Sequence, residues 1–176
     1  MRQAKQAAGF ALIDLVFVCG IIGILSSIAI PGLLQAKQSA GAASAIGSMR
    51  AINSAQLTFA LTCGGGFYAP NLTTLGQLPP GSHEGFISES LSVSDTVNRA
   101  GYVIQMDATP FDGAPATCNG VGAATAGQAF RAGANPSNAT NVRFFATNAN
   151  GTIFEDNAEL YATMPEFGEP MTGHPL

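Results

Sequence analysis

Gly9-Phe10-Ala11-Leu12-Ile13-Asp14 opens an apolar run that continues almost unbroken to Leu34. Just before it lie Arg2 and Lys5, and within it stand one carboxylate, Asp14, and one proline, Pro31. From Phe10 to Leu34 the run is about 25 residues, enough to cross a bilayer as a helix. A charge at membrane depth costs roughly 2.5 kcal/mol or more, so it calls for a specific partner. Asp14 is therefore the first candidate functional residue.

Composition bounds what the rest can be. The chain has 176 residues, which fits one domain with an appended segment. It is 47% hydrophobic and only 10% charged, with no Trp, a balance suited to a membrane or a packed assembly. Net charge is −4, and Glu155, Asp156, Glu159, Glu166 and Glu169 follow Arg143 with no Lys or Arg among them. Without Arg2 and Lys5, the seven basic side chains become five against eleven acidic ones. Such a chain lacks the cationic footprint of a nucleic-acid binder. Lys37, Arg50, Arg99, Arg131 and Arg143 form no run.

Three readings compete for the N-terminal segment. A secretory signal peptide would carry a shorter apolar stretch and a small-residue cleavage site, for which Ala29 and Gly32 are the nearest match. A plain single-pass anchor fits the length but accounts for neither Asp14 nor the abrupt Gly9-Phe10 junction. The third reading is a resemblance. Gly9 to Leu15, followed by Gly20-Ile21-Ile22-Gly23-Ile24-Leu25-Ser26-Ser27-Ile28-Ala29-Ile30-Pro31, resembles the processing site and N-terminal helix of type IV pilins and type II secretion pseudopilins. The likeness covers roughly residues 5–37 and keeps the spacing of leader, junction, carboxylate and proline. It implies a leader over 1–9, cut by a prepilin peptidase between Gly9 and Phe10, with Phe10 then N-methylated. It also implies that Asp14, where most of the family has Glu, pairs with the new amine of a neighbouring subunit; by its chemistry alone, Asp14 could instead neutralise its own chain's amine or lie hydrated at the membrane interface. Pairing in trans would select one register, because a misplaced subunit leaves two charges unsatisfied.

The helix reads in two halves, 10–34 for membrane and assembly and 35–63 amphipathic. Gly20, Gly23, Ser26, Ser27 and Ala29 allow close approach between helices in lipid. Pro31 removes a backbone donor and, with Gly32 beside it, is expected to kink or loosen the helix. From Lys37 to Leu61, Ala45, Met49, Ile52, Ala55 and Phe59 recur at helical spacing and predict a face packed on a sheet. Gly64-Gly65-Gly66 ends the helix. The whole helix would run about 50 residues, roughly 75 Å.

Residues 64–176 read as a small head. Leu72 to Leu78 is a helical turn between Pro70 and Pro79, and Tyr102 to Met106 a strand. Asn141 to Thr147 and Thr152 to Glu155 flank Asn148-Ala149-Asn150-Gly151, a hairpin turn. Three antiparallel strands over the amphipathic half-helix give an α+β, pilin-like fold. Ala108 to Thr140, rich in Gly, Ala and Pro, is expected to be a long loop facing outward.

Cys19 lies in the apolar helix and reads as a small apolar residue. Cys63 and Cys118 would pair in an oxidising compartment or else remain two free thiols. His83 and His174 have no Cys or carboxylate neighbours at metal-ligand spacing. Asp112-Gly113 and the acidic tail do not alternate carboxylates as a strong calcium loop does. No nucleophile elbow or phosphate loop is present, so no enzyme activity, metal or cofactor is expected. The resemblance implies a single-pass inner-membrane precursor and a structural subunit that polymerises into a pilus at the cell surface. Its partners would be further copies of itself, the peptidase and methylase, an inner-membrane assembly platform and membrane lipid. A pseudopilin of a type II secretion system, acting in protein export from the periplasm, is the alternative.

Overall fold

The computed structural model describes residues 7–138 and 141–176, with side chains in the N-terminal helix from residue 12 onward. Most of the expected leader, residues 1–6, lies outside the described residues, as do Ala139 and Thr140. The chain divides into two compact units, Met1–Ser39 and Ala40–Leu176. A single helix, α1 (Ala7–Thr62), runs through both. It is slightly longer than the sequence predicts, and its helical backbone continues through Pro31 and Gly32.

The second unit is an antiparallel sheet with the C-terminal half of α1 in its core. Two short helices, α2 (Leu72–Gly76) and α3 (Glu89–Ser92), precede the strands. These are β1 (Thr96–Arg99), β2 (Tyr102–Asp107), β3 (Arg131–Pro136), β4 (Phe144–Asn148), β5 (Ile153–Asp156) and β6 (His174–Pro175). The strands lie in chain order, each antiparallel to the next, with no crossover. The long N-terminal helix and antiparallel sheet make an α+β fold compatible with a pilin-like architecture.

The predicted face of α1 is the buried one. Ala45, Met49, Ile52, Ala55 and Phe59 join Tyr102, Ile104, Met106, Ala132, Ala134 and Phe145 in one core. Full burial of Met49, Ile52 and Phe59 contributes on the order of 2 kcal/mol each. Close approach at the N-terminal end of this face needs Gly41, where a Cβ would stand 2.7 Å from the Ala100 carbonyl oxygen. At the other end Gly64 N donates to Phe59 O and Gly66 N to Ala60 O, at 2.8 and 2.9 Å. Gly65 and Gly66 take the positive φ that this cap requires.

Two expectations are corrected. The sheet has six strands, not three. In addition, Ala108 to Thr140 is not one outward-facing loop. It contains β3, which pairs with both β2 and β4, and it buries Ala114, Ala126 and Phe130. β3 escapes notice because Arg-Ala-Gly-Ala-Asn-Pro has none of the branched or aromatic residues that mark strands. Small side chains are what the site demands, since a Cβ on Gly133 would come 2.6 Å from the Tyr161 side chain.

Gln56 is a second surprise, a fully buried amide in the middle of the apolar face. Its Oε1 accepts from Ala69 N and its Nε2 donates to Ala69 O, both at 2.9 Å. The amide thus pairs with the segment after the helix as a neighbouring strand would, leaving no backbone group of Ala69 unmet.

Candidate functional site

The N-terminal half of α1 is apolar on every side and covered on none. Every large apolar side chain from Leu12 to Leu34 is exposed, from 43% at Ile21 to 72% at Ile28. A helix hydrophobic all round belongs in a protein core or a membrane. This one is long and apolar enough to span a bilayer, and its apolar window is unburied within the chain. Leaving such side chains in water costs roughly 1 kcal/mol or more apiece, so the segment requires lipid or other helices. Its hydroxyls are compatible with that: Ser27 Oγ donates to Ile24 O at 2.7 Å.

Asp14 is exposed on this helix, and its carboxylate has no hydrogen-bond or ion-pair partner among the described residues. Cys19 is an exposed free thiol. At Gly20, Gly23 and Gly32 an added Cβ would meet nothing within 4 Å, so the space beside each is open to a neighbour. The backbone is helical across Gly9 and Phe10, and the Phe10 side chain lies outside the described residues. Pro31 lies inside the helix.

In the head, Cys63 and Cys118 form a disulfide with an S–S distance of 2.00 Å. It spans 55 residues, for which loop closure alone gives about 4 kcal/mol. The bridge fastens the end of α1 to the segment before β3, and Cys118 N donates to Cys63 O at 3.1 Å beside it. On the opposite side of the helix Gly47, Arg50, Ala51, Ser54, Leu57, Thr58 and Leu61 are exposed, a stripe of mostly small or apolar residues.

Two ion pairs brace the sheet. Arg131 grips Asp107 through Nε and Nη2 at 2.8 and 3.1 Å, and the Tyr161 hydroxyl donates to the same carboxylate at 2.8 Å. Burial pushes the Asp107 carboxyl up, but hydrogen bonds from Arg131 and Tyr161 outweigh it and hold it below the ordinary value. Arg143 pairs with Glu155, with Nη2 to Oε2 at 2.9 Å. That hydrogen bond, ahead of the opposing effect of burial, also holds Glu155 low. Burial, then the Asp107 carboxylate, pushes the Tyr161 phenol up.

A depressed folded pKa gives stability above the unfolded value, near pH 4, that is lost as pH falls through the folded one. A raised phenol pKa gives stability below about pH 10 that is lost above it. The denaturant midpoint should therefore be flat near neutrality, fall from about pH 4 downward and fall again above about pH 10. Asp107 is 44% exposed and screened by solvent, whereas Glu155 is 12% exposed. Glu155→Gln should accordingly flatten the acid limb more than Asp107→Asn. Equal midpoints for the native chain at pH 6 and pH 2.5 would refute the acid limb.

His83, Glu84 and Glu89 line an open groove of about 810 Å³ beside α2 and α3. Among the described residues no three of His, Cys, Asp and Glu come together in a metal-binding arrangement. Asn71 caps α2 by accepting from Thr74 N at 3.0 Å. No family model matches the chain, and neither does any curated protein or solved structure.

Proposed function

We propose that this chain is the structural subunit of a type IV pilus-like filament. It is made as a single-pass inner-membrane precursor, cut between Gly9 and Phe10 by a prepilin peptidase and methylated on Phe10. An inner-membrane assembly platform then adds it to a fibre of identical copies that reaches the cell surface. No catalytic role is assigned to it.

One observation carries the reading. From Leu12 to Leu34 the large side chains of α1 are uncovered and Asp14 has no partner among the described residues, while the other half of the same helix is the core of a folded head. Lipid can satisfy the apolar surface, but the carboxylate also needs a cation. The amine freed at Phe10 of a neighbouring subunit is such a cation. A packed bundle of these helices meets both needs, with Gly20, Gly23 and Gly32 offering close approach.

The test is to express the chain with its cognate peptidase, determine the mature N-terminus by mass spectrometry and image sheared fractions. The expected results are an N-methylated Phe10 terminus and long filaments containing the chain. An intact leader, or cleavage near Pro31, would overturn the reading.

A further inference from the structure

Residues 165–173 form a loop that is firmly held and yet leaves apolar side chains bare. Asn148, fully buried on β4, donates from Nδ2 to the carbonyls of Pro165 and Gly168 at 2.9 and 2.7 Å. Ala149 N donates to Glu166 O at 3.1 Å. Glu166 Oε1 in turn accepts from the Thr109 amide and hydroxyl at 2.7 and 2.6 Å. On this fixed frame Phe167 is 74% exposed and Met171 98% exposed, with Glu169 exposed between them. A loop already ordered before it binds forfeits little entropy on contact.

A surface of complementary chemistry lies on the helix side of the head. A groove of about 260 Å³ is lined by exposed Leu57 of α1, by half-buried Tyr68 and buried Phe130, whose ring centroids are 5.1 Å apart, and by Asn148, Ala149 and Asn150, which also hold the loop. A cavity of about 150 Å³ already accepts a benzene ring, so this groove has room for one aromatic side chain. Asn53 and Ser54 form its rim, and Arg50 stands exposed one helical turn away. Arg131 and Arg143 are committed to Asp107 and Glu155, whereas Arg50 makes no ion pair among the described residues. The 165–173 loop belongs to the stretch after Arg143 that contains acids and no Lys or Arg. The loop and the groove thus offer opposite charge beside matching apolar surface.

We propose that the groove's occupant is the 165–173 loop of a second copy of this chain. Phe167 of one head seats against Leu57 and Tyr68 of the next, and Glu169 faces Arg50. A loop of one copy entering a groove of the next is a heterologous contact, which builds an open fibre when its rotation does not close into a ring. The contact rests on the filament reading above and adds a head-to-head junction to the one made by the helices.

A charge exchange in the full-length chain, expressed with its peptidase, tests this. Arg50→Glu and Glu169→Arg, made singly, should each lower the yield of sheared filaments about fivefold or more. Both positions are exposed, so the thermal midpoint should not move. The two changes together should restore the yield to within about twofold. Filaments that form normally with either reversal, or single losses that the double variant does not rescue, would overturn this junction alone. No filaments from the unsubstituted chain would overturn the filament reading and the junction with it.

Discussion

Asp14→Ala is expected to leave cleavage after Gly9 intact while lowering filament yield about tenfold or more. On the filament reading, cleavage precedes docking, so no neighbour is needed for it. Docking would then be the step at which the Phe10 amine enters an apolar bundle and must find an anion. Stripping one partner from a buried ion pair costs about 3–5 kcal/mol, because the remaining charge is left unmet. That cost exceeds a factor of ten in an equilibrium constant, so assembly is where it should be read. Asp14→Glu restores the charge on a longer stem and should recover most of the yield. Asp14→Asn, equal in size but neutral, should behave like Ala. Mature N-terminus and filament yield, measured on the same cells, separate the two steps. Normal filaments from Asp14→Ala would exclude pairing in trans.

Phe59→Ala should have the largest effect on the head itself. Phe59 is fully buried at the end of the helix face, with its ring edge-on to Phe86 at 5.3 Å between centroids. A Cβ placed on Gly64 would lie 2.8 Å from the ring, so the backbone is folded tightly around it. Truncating such a side chain costs about 3–5 kcal/mol in lost transfer energy and residual cavity. For a unit of this size that is a fall of about 10–20 °C in Tm. Leu61→Ala, two residues on and 76% exposed, should change stability by less than about 0.5 kcal/mol. Thermal unfolding of both variants in detergent makes the comparison. A Phe59→Ala chain as stable as the Leu61→Ala chain would mean that the helix does not pack on the sheet in this way.

The helix was legible because its signal is redundant. An uninterrupted apolar run and then a periodic one specify the same element, and the triple glycine stops it. The β4–β5 hairpin was equally plain, since Asn150-Gly151 sits between two apolar runs and Gly151 takes the positive φ its turn needs. The β1–β2 hairpin was not. Its turn places Ala100 at φ 51, and nothing in an alanine announces a left-handed backbone. β3 was hidden by side chains chosen for what they leave out. β6 is only two residues long and exists through its pairing with β5. Gln56 reads as polar in any periodicity argument, yet Ala69 gives its amide both bonds it needs in the core. Of the candidate site, Asp14 was visible from sequence because a charge in an apolar run is a chemical anomaly. The junction surfaces were not, because exposure of Phe167 or closeness of Tyr68 to Phe130 depends on the folded head.

The chain-order sheet bears on how quickly the head can form. Each strand needs only its immediate successor, so hairpins can close one after another without waiting for a distant segment. The exception is the landing of the sheet on α1, which joins Asn53 to Thr147 across 94 residues. That docking, rather than strand pairing, should set the folding rate. Once a bilayer holds the helix's apolar half, the surface on which the last strands land is fixed in place, and the search for it is shortened.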